Sequence, residues 1–475
     1  MTTQPRQTKP QTGAGVTLVL TDDLHGELVQ AAAEHREIAG VLLCASALTD
    51  TGGRLIGTRI RWVPPEAYLR QERDGLTVTS DGYVPALGEA ETEGLIPLWL
   101  HTHPSGRATP IPSAHDERVD DELEDTFRIR SGASHYGALV VSPRCDTVSF
   151  TGHIRDERTR RPISRLVVLG DALSTRASYP HDQQGTFGDG DLFSRNVRAF
   201  GGPVQEALSQ LAVGVIGCGG TGSAVAEQLV RLGVRHLTIV DPDELEASNI
   251  TRVYGSTPTE VGRPKARVLA AHLSRIAPDA EISPVVGTVN DQAVARALID
   301  RDVLFGCTDD NAGRIVLSRL ATFLRILVID CGILISSSDD GSLQGIDARV
   351  TTMKPGSACL LCRGRIDIPR AAAEQMAVEE QQRLAAEGYA PALPGVQPAV
   401  VAYTTMVAAQ AVAELIELLT GYGPSPRPTE ILLRAHDREI STNIAIPRPG
   451  HFCDPTQGHG GAGVSVPFLG KLWAQ

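Results

Sequence analysis

The feature that most restricts the fold is a regular alternation of strand-like and helical segments in the second half of the chain. These segments follow one another in the order 213–217, 218–232, 237–241, 263–276, 303–306, 312–323 and 326–331. Alternation of short apolar runs with helical patterns is typical of a parallel sheet flanked by helices. We therefore expect a doubly wound, mostly parallel sheet within a domain that spans residues 191–450.

The first part of the chain has a mixed α/β pattern. Its strand-like runs occupy 16–20, 40–44, 95–100 and 136–142, whereas 66–93 has no readable pattern. A helix is expected from Asp22 or Asp23 to about His35. Because 475 residues suffice for two or three separate cores, we expect a second α/β domain over 16–155.

The remaining segments are expected to connect or extend these domains. We expect a disordered leader over 1–15, a linker over 156–190 and a C-terminal tail over 451–475. The linker contains one apolar patch, 166–169, that could add a strand. The leader is polar and lacks the apolar run of a signal peptide.

Composition limits the partners and the compartment. A formal net charge of -12 argues against nucleic acid as the main partner, since phosphate binding needs a basic face. The apolar stretch 398–420 carries Gln410, Glu414 and Glu417, which favours a buried helix over a membrane span. The eight cysteines are mostly scattered and imply no disulfide framework, so we expect a reducing cytoplasm.

A group of metal-binding residue types follows the predicted strand 95–100. His101 and His103 stand in the sequence His-Thr-His-Pro, and Asp116 follows after a Pro-rich loop. A catalytic zinc site commonly uses three His or carboxylate ligands and leaves one position for water. These three residues supply such a set, with His115 as a competing ligand.

This pattern resembles the JAMM metalloprotease family, also called the MPN or JAB domain. The family shows His-x-His-Pro, then a Ser with an Asp three residues later, and an upstream Glu-x-x-Gly that corresponds to Glu37–Gly40. The resemblance implies an MPN-type α/β/α fold in which His101, His103 and Asp116 hold Zn²⁺. It also implies that Glu37 is the general base and that Ser113 stabilises the oxyanion. The loop before Ser113 is two residues longer than the commonest family spacing, and a catalytically dead scaffold is the alternative.

A glycine-rich loop follows the first strand of the second domain. Gly217, Gly219, Gly220 and Gly222 allow a tight turn and close approach to a phosphate at the start of a helix. Asp241 lies near the distance at which an acid contacts a nucleotide ribose. The loop alone does not separate ATP from NAD.

The residues after the loop separate the two. They form the ordered series Asp241-Pro-Asp243, Ser248-Asn249-Ile-Thr-Arg252, Gly262-Arg-Pro-Lys265-Ala266 and Cys307-Thr-Asp309 with Arg314. From about Leu192 to Pro449 the chain closely resembles the ThiF/MoeB class of ubiquitin-activating-type adenylyltransferases, with a Rossmann-like fold.

The resemblance to this class implies roles for individual residues of the series. Asp241 would contact the ATP ribose, and Asn249, Arg252 and Lys265 would surround the phosphates. Asp309 would bind Mg²⁺. Arg195, in Phe193-Ser-Arg-Asn196, would reach into the ATP site of a second subunit, so a homodimer is expected.

The cysteines depart from the pattern of that class. Cys359 and Cys362 form one Cys-x-x-Cys pair, and the expected second pair is replaced by Cys453 with His451 and His459 nearby. A second, structural Zn²⁺ on a Cys₃His set and an unmetallated pair both stay open. A thioester also stays open, since Cys331 and Cys359 are conceivable nucleophiles without a motif.

Together the two resemblances imply a bifunctional enzyme. A zinc-dependent (iso)peptidase would be fused to an ATP-dependent adenylyltransferase. Both would act on a ubiquitin-like or sulfur-carrier protein with a flexible Gly-type C-terminus. The alternatives are an NAD(P)-binding oxidoreductase and a non-catalytic scaffold that binds ubiquitin-like proteins.

Overall fold

The computed structural model divides the chain into two compact units. It describes residues 11–12, 15–50, 52–104, 109–181, 191–338, 340, 342–376, 378–386 and 398–473. Unit 1 comprises Met1–Val168 and Thr175–Gln184, and unit 2 comprises Leu169–Ser174 and Gly185–Gln475. The predicted leader, 1–15, lies outside the described residues except for residues 11, 12 and 15.

Unit 1 combines a large sheet with three long helices among its described residues. Its strands are β1 (Gln11–Thr12), β2 (Val16–Leu20), β3 (Ala39–Thr49), β4 (Gly52–Trp62), β5 (Tyr68–Gln71), β6 (Leu76–Val78), β7 (Ile96–Thr102), β8 (Tyr136–Arg144), β9 (Thr147–Arg155), β10 (Thr159–Leu169) and β11 (Leu173–Ala177). Its helices are α1 (Asp22–Ala33), α2 (Val84–Glu93) and α3 (Ala114–Ser131). The strand order is β1-β10-β2-β4-β3-β7-β8-β9, and β10 also pairs with β9 and β11.

Successive side chains of the interior strand β7 point to opposite faces of the sheet, and each face is covered by a helix. Leu98 and Leu100 belong to one buried cluster with Leu24 of α1. The ring of Trp99 lies 6.3 Å from that of Phe127 in α3, on the opposite face. Unit 1 therefore has a helix on each face of its sheet.

Two parts of unit 1 differ from the sequence expectation. The unreadable stretch 66–93 contains β5, β6 and α2. The predicted linker is wrong over its first half, because β10 and β11 are strands of the sheet. A charged residue such as Arg161 is not expected in a buried strand, which made this segment resemble a linker. Arg161 is nevertheless buried, and its guanidinium donates to the carbonyl oxygens of Thr49 (2.7 Å) and Gly52 (3.2 Å).

Unit 2 contains the alternating segments. Its helices are α4 (Ser194–Phe200), α5 (Gly202–Gln210), α6 (Gly220–Arg231), α7 (Lys265–Ile276), α8 (Gln292–Arg296), α9 (Asn311–Leu324), α10 (Ile368–Ala373), α11 (Val378–Ala386) and α12 (Val401–Thr420). Its strands are β12 (Ala212–Ile216), β13 (His236–Asp241), β14 (Glu281–Val286), β15 (Val303–Gly306), β16 (Leu327–Ser337), β17 (Leu343–Met353), β18 (Glu430–Arg434) and β19 (Glu439–Asn443).

The strand order of unit 2 creates a crevice at β12. The order is β14-β13-β12-β15-β16-β17-β18-β19, in which β14 to β16 are parallel and β17 to β19 are antiparallel. The chain proceeds from β12 to β13 on one side and returns to β15 on the other. Such a switch of direction opens a ligand crevice at the carboxyl ends of the strands, as in Rossmann-like folds. The expected doubly wound, mostly parallel arrangement is confirmed.

The last described residues pack on unit 2. The amides of Gly461 and Gly463 donate to the carbonyl oxygens of Thr322 (2.8 Å) and Phe323 (2.9 Å) in the last turn of α9. These carbonyls have no partner within the helix. Leu469 is also buried, so the expected tail over 451–475 is wrong for its described part.

Helix α12 occupies the predicted buried-helix stretch. It is long and apolar enough to cross a membrane by length and composition. In unit 2 it packs against α6, β16 and β17 and buries Val407, Leu415 and Leu418. This core position accounts for its apolarity.

Candidate metal and nucleotide sites

The predicted metal ligands of unit 1 meet at the end of β7. His101 lies in β7, His103 follows it directly, and Asp116 lies in the first turn of α3. Their ligand atoms all lie within 4.8 Å of one another. Each imidazole Nε2 is 3.7 Å from an oxygen of Asp116. The structure thus brings together the three residues predicted to hold zinc.

The hydrogen bonds of the histidines suit a metal. His103 Nδ1 lies 3.3 Å from the carbonyl oxygen of Thr109, so a proton on Nδ1 leaves the Nε2 lone pair toward the cluster. His101 Nε2 is buried without a hydrogen-bond partner. A buried polar atom of this kind is costly unless a ligand satisfies it. These atoms therefore fit a Zn²⁺ ion.

The protonation states also suit a metal. Burial lowers the pKa of His101 to about 4, so its imidazole is neutral near neutral pH. Burial alone would raise the pKa of Asp116. The hydrogen bond with His103, the proximity of His101 and the bonds with Ser113 outweigh burial and hold that pKa well below its usual range. The cluster thus offers a neutral His101 imidazole and an ionised Asp116 carboxylate beside His103.

Ser113 has a structural task that the sequence reasoning missed. Its Oγ accepts from the Asp116 amide (3.2 Å), and its own amide donates to Asp116 Oδ2 (2.6 Å). This reciprocal pair is a capping box at the start of α3. Ser-x-x-Asp before a helix is the sequence signal that could have identified it.

Glu37 is buried beside the same strand end. Ala39 of β3 pairs with His101 of β7, and the Thr102 amide donates to the Ile38 carbonyl (2.9 Å). Continuing this antiparallel register sets Glu37 opposite His103, on the face that carries both histidines. The predicted general base therefore lies next to the predicted metal ligands, whereas His115 is exposed.

The glycine-rich loop lies at the crevice of unit 2. Gly217 follows β12 with a φ of +94°, and a Cβ on Gly222 would come within 1.8 Å of the Gly217 carbonyl oxygen. Glycine is therefore required for this turn into α6. The amides of Gly217 and Cys307 donate to Val240 and Ile216, each at 2.8 Å, and tie the loop to the neighbouring strands. Gly219 and Gly220 lie at the start of α6, where main-chain amides can bind an anion.

Asp241 anchors this loop from the end of β13. Its Oδ2 accepts from the Cys218 amide (2.6 Å) and its Oδ1 from the Asp243 amide (2.9 Å). The carboxylate is buried, and burial raises its pKa despite these bonds. The predicted ribose ligand thus also fixes the shape of the loop.

The predicted phosphate ligands follow the glycine-rich loop in sequence. Lys265 Nζ is 2.8 Å from Asp243 Oδ2, and Lys265 borders a cavity of about 540 Å³ with Asp243, Glu244 and Gly262. Arg252 Nη1 donates to the Ser248 carbonyl oxygen (3.0 Å). The Asn249 side chain accepts from the Glu246 amide (3.1 Å) and closes a short 3₁₀ turn. Asn249 and Arg252 are held by partners from their own segment, whereas Lys265 pairs with the segment that follows β13.

Asp309 and Arg195 are placed differently. Asp309 is exposed just past the carboxyl end of β15, beside the glycine-rich loop in strand order. Arg195 is exposed in α4, which precedes β12. The described contacts do not join either side chain to the loop.

The cysteines that depart from the pattern of the class lie close together in the structure. Cys359, Cys362, Cys453 and His451 form a second group whose ligand atoms lie within 4.8 Å of one another. Cys362 Sγ is 3.6 Å from Cys453 Sγ, and Cys359 Sγ is 3.6 Å from His451 Nδ1. Tetrahedral zinc with Zn–S bonds of about 2.3 Å would give ligand separations of about 3.7 Å. The four residues therefore fit Zn²⁺, with His451 rather than His459 as the fourth ligand.

The surroundings of these cysteines bear on metal binding and on a thioester. A hydrogen bond from the Cys359 thiol lowers the pKa of Cys453 to about 5, so the group holds a thiolate near neutral pH. Cys359 is thus committed to this group. Cys331, the other conceivable nucleophile, is buried in β16.

Comparison with known proteins identifies the family of unit 2. Residues 193–449, more than half of the chain, match the ThiF family. The glycine-rich loop, Asp241 and Lys265 all lie in the matched region. The chain belongs to the ThiF family.

Several known proteins share parts of this region. Molybdopterin-synthase adenylyltransferase of Escherichia coli is 28% identical over 172 residues, which are 36% of this chain and 65% of that protein. SAMP-activating enzyme E1 of Haloferax volcanii is 28% identical over 174 residues, 36% of this chain and 61% of that protein. The chain thus spans less than two thirds of these relatives. The crystal structure of E. coli MccB with ATP has a TM-score of 0.44 and 18% identity, covering 56% of this chain and 75% of that one.

Proposed function

We propose that unit 2 is an ATP-dependent adenylyltransferase that activates the C-terminal carboxylate of a small carrier protein. The observation that carries this proposal is the glycine-rich loop tied to Asp241 at the crevice of a ThiF-family sheet. The loop and the N-terminus of α6 suit nucleotide phosphates. Lys265 and Arg252 would supply positive charge for these phosphates.

The reaction follows from these groups. A carboxylate oxygen of the carrier attacks the α-phosphorus of ATP, the bond to the β-phosphate oxygen breaks, and an acyl adenylate and pyrophosphate form. The reaction brings two anions together, so Lys265 and Arg252 would offset their charge. Mg²⁺ held by Asp309 would neutralise the leaving pyrophosphate.

The carrier class is proposed from the relatives. Their names include a molybdopterin-synthase adenylyltransferase, a SAMP-activating enzyme and, from E. coli, a sulfur carrier protein ThiS adenylyltransferase. A ubiquitin-like or sulfur-carrier protein with a flexible Gly-type C-terminus is the substrate that we propose. We also propose a cytoplasmic homodimer in which Arg195 of one subunit reaches the ATP site of the other, because Arg195 is exposed in α4.

The test is ATP–pyrophosphate exchange with purified carrier proteins that end in Gly-Gly. We expect Lys265→Ala to slow exchange by about 10²-fold or more, the loss typical of removing one charge-stabilising donor. Arg267→Ala is the matched control, since Arg267 is exposed on the same helix. Calorimetry with ATP and with NAD distinguishes this proposal from an oxidoreductase. Binding of NAD alone, without ATP–pyrophosphate exchange, would indicate an oxidoreductase.

We further propose that unit 1 is an MPN-type zinc (iso)peptidase acting on the same carrier. The specific observation is the convergence of His101, His103 and Asp116, with Glu37 beside them. Its cleavage would expose the carboxylate that unit 2 adenylates. The two activities would then act in sequence on one C-terminal tail.

The chemistry of unit 1 relies on its own side chains. His101, His103 and Asp116 would hold zinc, which when bound polarises the scissile carbonyl and the attacking water. Glu37 would take a proton from that water and deliver it to the leaving amine. Ser113 would donate to the carbonyl oxygen as negative charge develops there.

Cleavage of a carrier protein extended beyond its Gly-Gly end tests this second proposal. We expect Glu37→Gln to reduce kcat by about 10²–10⁴-fold, since general acid–base catalysis contributes that much. Glu66→Gln, an exposed change in the same unit, serves as the control. Equal cleavage by Glu37→Gln and wild type would contradict the proposal, and carrier binding without cleavage would indicate a scaffold.

We propose that Cys359, Cys362, His451 and Cys453 bind a structural zinc. Four protein ligands fill a tetrahedral site and leave no position for a substrate. Because Cys359 belongs to this group and Cys331 is buried, we propose neither of them as a thioester nucleophile.

A further inference from the structure

The short segment that carries Glu37 is held from two sides. Glu37 and Ile38 lie in the connection between α1 and β3, and Ala39 begins β3. The two main-chain groups of Ile38 both bond to Thr102: its amide donates to the hydroxyl, and its carbonyl accepts from the amide, each at 2.9 Å. Thr102 stands between His101 and His103, so this side couples the segment to the strand of the metal ligands.

The other side is formed by residues 68–78, the β5–β6 hairpin. The Glu37 amide donates to the Glu72 carbonyl oxygen (2.8 Å), and the Gln71 side-chain amide donates to the Glu37 carbonyl oxygen (3.1 Å). The Ala39 amide donates to the Tyr68 hydroxyl (2.9 Å). Both main-chain polar groups of Glu37 therefore bond to the hairpin.

The hairpin is separate from the main sheet. β5 and β6 form a two-stranded sheet of their own, and Leu69 on its outer surface is 72% exposed. An isolated two-stranded hairpin is marginally stable in water. The hydrogen bonds to residues 37–39 therefore help to hold the hairpin in place. In turn, the hairpin helps to fix residues 37–39.

We infer that the β5–β6 hairpin is a positioning element for the Glu37 carboxylate, with Gln71 and Tyr68 as positioning residues. The inference rests on the proposed peptidase function of unit 1. A general base must lie within about 2.6–3.2 Å of the proton that it takes. A displacement of about 1 Å can reduce the rate by about 10²-fold. Loss of the main-chain bonds at Glu37 should therefore lower turnover without removing a group that touches the substrate.

The key variant is Gln71→Met in the zinc-loaded full chain, because methionine keeps the length of the side chain and loses the donor. Tyr68→Phe is the second variant, and Leu69→Ala is the control on the same hairpin. For both variants we expect kcat to fall by about 10-fold or more and KM to stay within about two-fold. Hydrogen–deuterium exchange of the peptide covering residues 37–39 should accelerate, while zinc content stays constant. Leu69→Ala should leave kcat and the exchange of this peptide unchanged.

The outcomes distinguish this inference from the peptidase proposal. An unchanged kcat in Gln71→Met and Tyr68→Phe with an active wild type would overturn the inference, whether or not exchange accelerates. A rise in KM alone would also overturn it, since the hairpin would then be a substrate contact. If the wild type does not cleave but exchange accelerates in the variants, the anchoring of residues 37–39 stands and the peptidase proposal falls.

Discussion

The two groups of metal-ligand residues differ in the number of donors that they offer. The His101–His103–Asp116 group offers three, and the Cys359–Cys362–His451–Cys453 group offers four. Three protein donors leave a coordination position for water or substrate, whereas four complete a tetrahedron. The same ion would therefore serve chemistry in unit 1 and chain architecture in unit 2.

The groups also differ in how they are assembled. The ligands of unit 1 lie close together in sequence and are fixed by a strand end and a helix start. In unit 2, Cys359 and His451 are 92 positions apart, and the second pair arrives on the returning C-terminal segment. Local elements can preform a reactive site, while a distant pair depends on the whole unit being folded.

The largest expected contrast comes from removing one ligand from each group. Cys453→Ala should lower the unfolding free energy of unit 2 by about 4 kcal/mol at free zinc a thousandfold above Kd, because binding then no longer favours the folded state. It should leave cleavage intact. His103→Ala should abolish cleavage and leave unit 2 unchanged. Zinc-dependent denaturation and the cleavage assay measure the two effects.

Two controls accompany this pair. Cys145→Ala changes an exposed cysteine outside both groups, and His35→Ala changes an exposed histidine. Loss of cleavage in Cys453→Ala with normal metal content in unit 1 would break the proposed division of roles.

The next effect concerns pH in the metal-free protein. The pKa of His101 is about 4 in the fold because of burial and about 6.5 when unfolded, so the unfolded chain binds the proton more readily between these values. The contribution of His101 to the stability of unit 1 is therefore complete above pH 6.5 and is lost as pH falls toward 4, by about 3 kcal/mol.

Urea unfolding with a chelator at about pH 7.5 and 4.5 measures this decline. Trp62 and Trp99 report on unit 1 once Trp473 is replaced by Phe. His101→Gln should remove the part of the pH dependence that His101 causes and leave the part due to His25 and His135, whose pKa values burial also lowers. An unchanged dependence in that variant would show that other groups control it.

The smallest effect comes from Ser113→Ala. Loss of the N-cap should cost about 1 kcal/mol of unfolding free energy in unit 1. Ser80→Ala, at an exposed position, is the control. If kcat falls far more than this loss of stability explains, Ser113 acts on the oxyanion as proposed. A fall in stability alone would reduce its role to capping α3.

The sequence predicted the parallel half of unit 2 well and the antiparallel half poorly. Strands β12, β13, β15 and β16 begin within one residue of their expected positions, because each is a buried apolar run bounded by glycine or polar residues. The edge strand β14, with sequence Glu-Ile-Ser-Pro-Val-Val, is largely exposed and lacks that signal. β17 and β18 mix buried and exposed positions, β19 has no buried position, and all three carry charged residues, so none is an uninterrupted apolar run.

The candidate sites show the same limit. The ligands His101, His103 and Asp116 could be predicted because their residue types and spacing are specific. The bonds that hold them could not: Thr109 orients His103 through a main-chain carbonyl, and Glu72 anchors Glu37 in the same way. Main-chain partners leave no trace in residue identity. β5 and β6 have four and three residues and no buried position, so they lack the buried apolar run that identifies a strand.

The return of the C-terminal segment to Cys359 and Cys362 changes the topology of unit 2 once a metal is bound. The ion then closes a covalent-like loop that contains α10, α11, α12, β18 and β19. A cross-link around a loop of nearly 100 residues removes chain entropy from the unfolded state worth about 4–5 kcal/mol in the loop-closure model. The segment that carries His451 and Cys453 would then link the two ends of this loop. The concentration of available metal would therefore set the free energy needed to unfold the part of unit 2 within the loop.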